Sequence, residues 1–179
     1  IKIISEETSS NKKNENLNNF WLIDPIDGTS EYINNREEFT INAALIINKK
    51  PVIGVIYAPA KKRLFYTYGP SHAFEIVNNK EINLSEKKKE NINLITAVSY
   101  SNDLKPDILK LHEKFNVSKY QRMKSSLKFC VVAACEFDLY VAEARAYEWD
   151  IAAGHAILEN AGGKMTDFDG NEILYGKTD

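Results

Sequence analysis

"WLIDPIDGTSEYI", residues 21 to 33, ends an apolar run on two aspartates, Asp24 and Asp27, with Pro25 and Ile26 between them and Gly28 and Thr29 after them. "FWLID" has the composition of a buried strand, and "GTSEYI" that of a tight turn opening a short helix. Pro25 biases Asp24 toward extended backbone, so the two aspartates cannot share one regular helix face, but both can converge at a turn. Two like charges placed together call for something positive between them. Their carboxylates, with the Ile26 carbonyl in the middle, are hard oxygen donors of the kind that suits Mg²⁺. Gly28 and Thr29 fall at the helix start, where unpaired N–H groups and the positive dipole end favour a phosphate. The alternative is that Asp-Pro and Asp-Gly are ordinary turn formers at a surface corner. Spacing alone leaves both readings open.

Upstream lies the polar loop "SSNKKNENLNN" (9–19). Downstream, "EFTINAALIINKKPVIGVIYAPAKKRLFYTYG" reads as antiparallel strands joined by the turns "NKKP" and "APAKK", and "HAFEIVNNKEINL" adds a hairpin. "SEKKKEN" (85–91) is a charged, apolar-poor connection and a candidate subdomain boundary between a metal and phosphate part and a substrate part. From residue 92 strands alternate with helices. "INLITAVS" reads as a strand, "PDILKLHEKF" as an amphipathic helix, "SSLKFCVVAACE" as a buried helix and "FDLYVAE" as a strand. "DIAAGHAILENAGG" (150–163) reads as a helix stopped by Gly-Gly, and "KMTDFDGNEILY" as a hairpin turning at "DFDG". The fold class expected is α/β, an α+β layered sandwich.

The chain has 179 residues, enough for one domain that buries roughly 70% of its unfolded surface. It is 44% hydrophobic and 27% charged with a formal net charge of −2, so neither nucleic acid nor anionic membrane is favoured as a partner. "INAALII" (41–47) and "FCVVAAC" (129–135) fall far short of a bilayer span. No secretory signal opens the chain, and the missing initial Met reads as a start inside a longer protein. Cys130 and Cys135 lie about 140° apart if both are helical, too far round to bridge, and two free thiols suit a reducing cytoplasm. His72, His112 and His155 show no metal-ligand spacing, so any metal is expected on oxygen.

Two further acidic segments accompany the opening stretch: "SEE" (5–7), and "WD" (149–150) at the head of the Ala/Gly-rich helix. Singly each is weak, since an Asp at a helix start is most often an N-cap. In this order and at these separations, "SEE", "WLIDPIDGTSEYI" and "WDIAAGHAILENAGG" resemble the signature segments of the Mg²⁺-dependent, lithium-sensitive phosphatase superfamily of inositol monophosphatase, fructose-1,6-bisphosphatase and 3'(2'),5'-bisphosphate nucleotidase. "EEFTINAALIINKKPVIGVIYAP" and "SSLKFC" look most like its bacterial bisphosphate nucleotidase branch. The resemblance implies alternating helix and sheet layers over residues 1–179, here without the first helical layer, and a Mg²⁺ cofactor held by Glu7, Asp24, Asp27, Asp150 and the Ile26 carbonyl. It implies that Glu7 and Thr29 orient an attacking water, with Asp27 catalytic beside them, in a direct in-line hydrolysis. Gly28 and Thr29 would hold phosphate oxygens, and Glu6 resembles a neighbouring acidic position whose role is less defined.

The substrate class expected is a small phosphate ester. In the nucleotidase branch, Ser125 and Lys128 resemble the grip on the nucleotide's remaining phosphate and sugar, which points to removal of the 3'-phosphate of 3'-phosphoadenosine 5'-phosphate. Two departures oppose it: Asn102 stands where relatives carry a histidine, and Ala142 where many carry an arginine, with Arg145 near enough to substitute. Glu143, seven residues before Asp150, matches a glutamate that inositol monophosphatases place on inositol hydroxyls and keeps a polyol phosphatase as the alternative. Relatives carry two long helices ahead of "SEE" and a final strand after "EILYGKTD", so a third reading is an inactive remnant that only binds metal or phosphate. Such a chain would bare an apolar face of its sheet. The resemblance also allows a homodimer.

Overall fold

The computed structural model describes residues 1–8, 17–89, 93–142 and 146–176. A seven-stranded sheet runs in chain order through β1 (Lys2–Ser5), β2 (Phe20–Asp27), β3 (Thr40–Ile47), β4 (Lys50–Ala58), β5 (Arg63–Thr67), β6 (Ala73–Val77) and β7 (Lys80–Asn83). β1 pairs parallel with β2, and every later pair is antiparallel. Two hairpins close on two-residue turns whose residues all have positive φ: Asn48 and Lys49 at 51° and 65°, and Asn78 and Asn79 at 52° and 58°. That is the turn geometry whose twist matches the strands it joins, and asparagine tolerates it best after glycine.

A second sheet of three parallel strands has the order β10 (Leu139–Tyr140), β8 (Ile95–Ser99), β9 (Val117–Arg122). Helix α2 (Pro106–Lys114) crosses from β8 to β9, and α3 (Leu127–Ala133) from β9 to β10. The short α1 (Thr29–Ile33) follows β2, and α4 (Glu148–Asn160) ends the regular structure. β9 went unread in the sequence because "VSKYQR" is an exposed edge strand with no apolar face. α4 begins two residues earlier and stops three earlier than the sequence pattern suggested. α3 ends at its C-cap Ala134, and Cys135 turns to φ 56°, so Cys135 is not on the helix. Both thiols are free, Cys130 being buried.

The hairpin expected at 164–175 is corrected to a turn without a ladder. Asp167 organises it by accepting from the Asp169 and Asn171 amides at 2.9 and 2.8 Å. The second arm then leaves, and the Tyr175 amide donates to Lys49 O at 3.0 Å. Binding to the β3–β4 turn takes the donor that a local strand partner would have used.

α4 and α3 cover one face of the large sheet, where Phe20, Leu22, Ala44, Ile46 and Ile56 meet Leu127, Val131, Ala153 and Ile157. Close approach depends on glycine: a Cβ on Gly54 of β4 would stand 2.4 Å from the Ala153 carbonyl oxygen of α4. Backbone cannot swing aside as a side-chain end can. Gly54→Val is therefore expected to cost roughly 1–3 kcal/mol or more of overpacking, read as a melting temperature lower by about 2–4 °C per kcal/mol. An unchanged melting temperature would show that α4 does not rest on β4 as described. The opposite face carries Trp21, Ile23, Leu45, Ile53 and Val55 half-buried, with Ile41 at 43% and Tyr57 at 38% exposure. Among the described residues no helix packs there as α4 packs on its face.

Candidate active site

Asp24 and Asp27 lie in the last four residues of β2, three positions apart, and in a regular strand such residues face opposite sides. The ladder to β3 breaks that rule: Asp24 pairs with Asn42 and Asp27 with Thr40, with a register shift between. Three residues of β2 therefore span two of β3, a bulge in which Pro25 can sit without a ladder bond. Both carboxylates are thus brought toward the face of Thr40 and Asn42, which α3 and α4 cover. Asp24 is 1% exposed, and its Oδ1 accepts from the Ile26 amide at 3.0 Å.

Asp27 is held from across the molecule. Ser126, just ahead of α3, donates to its Oδ2 from both amide and hydroxyl, the latter at 2.6 Å. Thr40 Oγ1 stands 3.0 Å from Ser126 Oγ and fixes that hydroxyl in turn. Asp150 reaches the region from the first turn of α4, where it accepts from the Tyr147 amide at 2.8 Å as a capping residue. The N-cap itself is Tyr147, and Asp150 is the third helical residue, whose carboxylate reaches back to the N-cap amide.

Burial and like charge act together on this group. Asp24 is pushed up to about 8, first by burial and then by Asp27, Glu6 and Asp150. Asp150 is pushed up to about 6, first by burial and then by Asp27 and Glu6, against its bond from Tyr147. Glu6, Asp24, Asp27 and Asp150 therefore share one electrostatic neighbourhood. Glu7, the expected glutamate, and its neighbour Glu6 both lie exposed on the 3₁₀ turn Glu6–Thr8, and the one whose charge acts on Asp24 and Asp150 is Glu6. On so tight a turn adjacent side chains diverge, which spacing alone cannot resolve.

The donors fit a divalent cation: the charges that act most on buried Asp24 are all negative, and each partner presents carboxylate oxygen. Among the described residues, no three His, Cys, Asp or Glu side chains are already drawn together into a ligand shell. Each aspartate instead has one oxygen committed to an N–H. The Ile26 carbonyl accepts from Thr29 Oγ1 at 3.1 Å, so the Thr29 proton is occupied and its lone pairs are the part left to meet a water. Gly28 caps α1 at φ 88°, and a Cβ there would stand 2.9 Å from Glu38 O, so the turn is closed to other residues.

Cations line the other side. Ser125 takes φ 56°, and Lys128, 4% exposed, curls back so that its Nζ donates to Ser125 O. Burial pushes Lys128 down to about 8, with Lys124 adding to the fall while Asp27 opposes it. Lys124 Nζ lies 3.3 Å from the Tyr100 ring centroid, and Lys128 lies 5.6 Å from Tyr100 and 5.4 Å from Tyr140. Along the chain nothing marks Lys124 or Tyr100, since neither stands in a motif. Asn102 accepts from the Tyr120 hydroxyl at 2.8 Å through its carbonyl. Glu143 and Arg145 lie outside the described residues.

The inositol monophosphatase family pattern matches residues 1–179. The chain is 38% identical to the 3'(2'),5'-bisphosphate nucleotidase CysQ of Buchnera aphidicola over 98% of its length, and 33% identical to that of Salmonella typhimurium, also over 98%. It spans 65% and 70% of those two proteins. The crystal structure of CysQ from Bacteroides thetaiotaomicron superposes with a TM-score of 0.82 at 32% identity, over 99% of this chain and 73% of that one. The layered α/β architecture is thus shared over nearly the whole chain, which belongs to the inositol monophosphatase family.

Proposed function

We propose that this protein is a Mg²⁺-dependent phosphomonoesterase that removes the 3'-phosphate of 3'-phosphoadenosine 5'-phosphate to give AMP. The observation that carries the reading is the juxtaposition of a four-carboxylate neighbourhood with buried Lys128, on which the charges of Asp27, Asp150 and Lys124 all act. A cluster of negative charge takes the cation, and a pair of lysines takes an anion, so one ligand with two phosphates satisfies both. The names of the relatives support the same reading.

Glu6, Asp24, Asp27, Asp150 and the Ile26 carbonyl would hold Mg²⁺, Glu6 replacing Glu7 because its charge reaches the aspartates. A cation held by these residues would supply Lewis acidity toward the phosphate ester and toward a water. Thr29, donating to Ile26 O, accepts from that water and sets its direction. Ser126 and Thr40 keep Asp27 in a single orientation. Lys128, neighboured by Ser125, holds the phosphate that is not cleaved, and Tyr100 offers a ring face beside it. The amides of Gly28 and Thr29 are assigned to the phosphate that is cleaved. A reducing cytoplasm is the compartment proposed, supported by the two free thiols, and no described helix is long and apolar enough to cross a membrane.

The second reading, a polyol phosphatase, draws on a Thermotoga maritima relative named fructose-1,6-bisphosphatase/inositol-1-monophosphatase, 34% identical over 85% of this chain. The two separate on phosphate release from 3'-phosphoadenosine 5'-phosphate and inositol 1-phosphate, each with and without Mg²⁺. Lys128→Ala is expected to raise KM for the bisphosphate at least tenfold while moving that for inositol 1-phosphate less than threefold. Equal effects favour the polyol phosphatase. Mg²⁺-dependent binding of the bisphosphate without turnover assigns the chain a binding role only.

A further inference from the structure

Asn42 occupies the middle of β3, directly opposite Asp24 on β2 and Ile56 on β4. It is 1% exposed, and neither its Oδ1 nor its Nδ2 has a hydrogen-bond partner among the described residues. Burying both ends of an amide unpaired is among the costlier things a fold retains, and asparagine is depleted in strands besides. Its neighbours along the same face toward the core, Ala44 and Ile46, show what packing alone would select there. A valine would fill the place without dehydrating a polar group.

On its other side the face is polar and committed. Thr40, two residues away, contacts Ser126, and Ser126 in turn holds Asp27. Asp24 has one oxygen on the Ile26 amide. Residues paired directly across antiparallel strands have Cβ atoms about 4.5–5.5 Å apart, and the terminal torsion of asparagine is broad, so the amide reaches an Asp24 oxygen by rotation. Asn42 is thus placed to do for Asp24 what Ser126 does for Asp27.

We propose that Asn42 is a positioning residue of the cation site: its Nδ2–H donates to the Asp24 oxygen that Ile26 does not engage, and turns that carboxylate toward Asp27 and Asp150 when a divalent cation is bound. The identity of the cation rests on the phosphatase reading; the role of the amide rests on its burial and register.

The test compares the wild-type protein with Asn42→Val and with Asn42→Thr, which has the shape of valine but keeps a hydroxyl donor. Mn²⁺ affinity is measured by electron paramagnetic resonance, and the melting temperature in EDTA and in saturating Mg²⁺. Asn42→Val should melt in EDTA at the wild-type temperature or above it, while its Mn²⁺ dissociation constant rises tenfold or more and its gain in melting temperature from Mg²⁺ shrinks. Asn42→Thr should recover part of the Mn²⁺ affinity. Mn²⁺ affinity within twofold of wild type in Asn42→Val overturns the proposal, whatever happens to stability. So does an Asn42→Val chain that melts early in EDTA or fails to fold, since the amide would then be serving the fold itself. Wild-type protein that binds no Mn²⁺ removes the phosphatase reading along with it, which keeps the two failures apart.

Discussion

Asp27→Asn should lower the rate of Mg²⁺-dependent phosphate release by at least about three orders of magnitude, since it removes a negative oxygen donor from the centre of the proposed cation site. The fold should not suffer. The asparagine carbonyl can still accept from the Ser126 amide and hydroxyl, which now hold Asp27 Oδ2. A loss of activity with an unchanged melting temperature in EDTA separates chemistry from unfolding. Steady-state phosphate release and calorimetry on the same preparation check it, and wild-type turnover in Asp27→Asn would remove Asp27 from the machinery.

Asp24→Asn should stabilise the metal-free protein, increasingly so as pH rises from 6 to 8. Asp24 is raised from 3.8 to about 8 in the fold. Between those values the native state holds a proton that the unfolded chain has lost, so protons bound fall short in the unfolded state and the slope of stability against pH is negative. The contribution of Asp24 is fully present below its unfolded value and disappears as pH passes through about 8. Asparagine carries no charge at any pH and escapes the loss. Each pH unit in the window corresponds to at most about 1.4 kcal/mol, so the advantage of Asp24→Asn should grow by roughly 2 kcal/mol between pH 6 and 8, about 4–8 °C of melting temperature.

Comparison with the variant is essential because other groups titrate in the same range. His112 and His155 are lowered by burial, and Lys128 is lowered to about 8, all of which tilt stability the opposite way. They are common to both proteins and cancel in the difference. Saturating Mg²⁺ should reverse the order, stabilising wild type through binding that Asp24→Asn has weakened. A difference in melting temperature that does not change with pH in EDTA would mean that Asp24 does not lie in the repulsive field described.

Local chemistry made much of this molecule readable in advance. The strand "FWLID", the turn at "NKKP", the hairpin in "HAFEIVNNKEINL" and the Ala/Gly helix each follow from residue types over a few positions, the helix lying two to three residues ahead of its pattern. Where local pattern and tertiary demand part, the reading slipped. The arm at 171–175 has strand-like residues but gives its Tyr175 amide to Lys49, and Cys135 leaves its helix through a left-handed turn. β9 is defined by β8 beside it and by no periodicity of its own.

The site divides the same way. Asp24, Asp27 and Asp150 stand out along the chain, since they are marked by Pro, Gly and a helix start in their own segments. Glu6 and Glu7 could not be told apart along the chain, being identical in type, and only through space does the charge of Glu6 act on Asp24 and Asp150. Lys124, Tyr100 and Asn42 are ordinary residues along the chain, and acquire meaning from what stands across from them: a second lysine, a shared cation and an aspartate one strand away. Sequence alone therefore determined the elements and the donor chemistry, because these depend on neighbours along the chain. The tertiary structure alone decided burial, register and field, because charge and desolvation act through space.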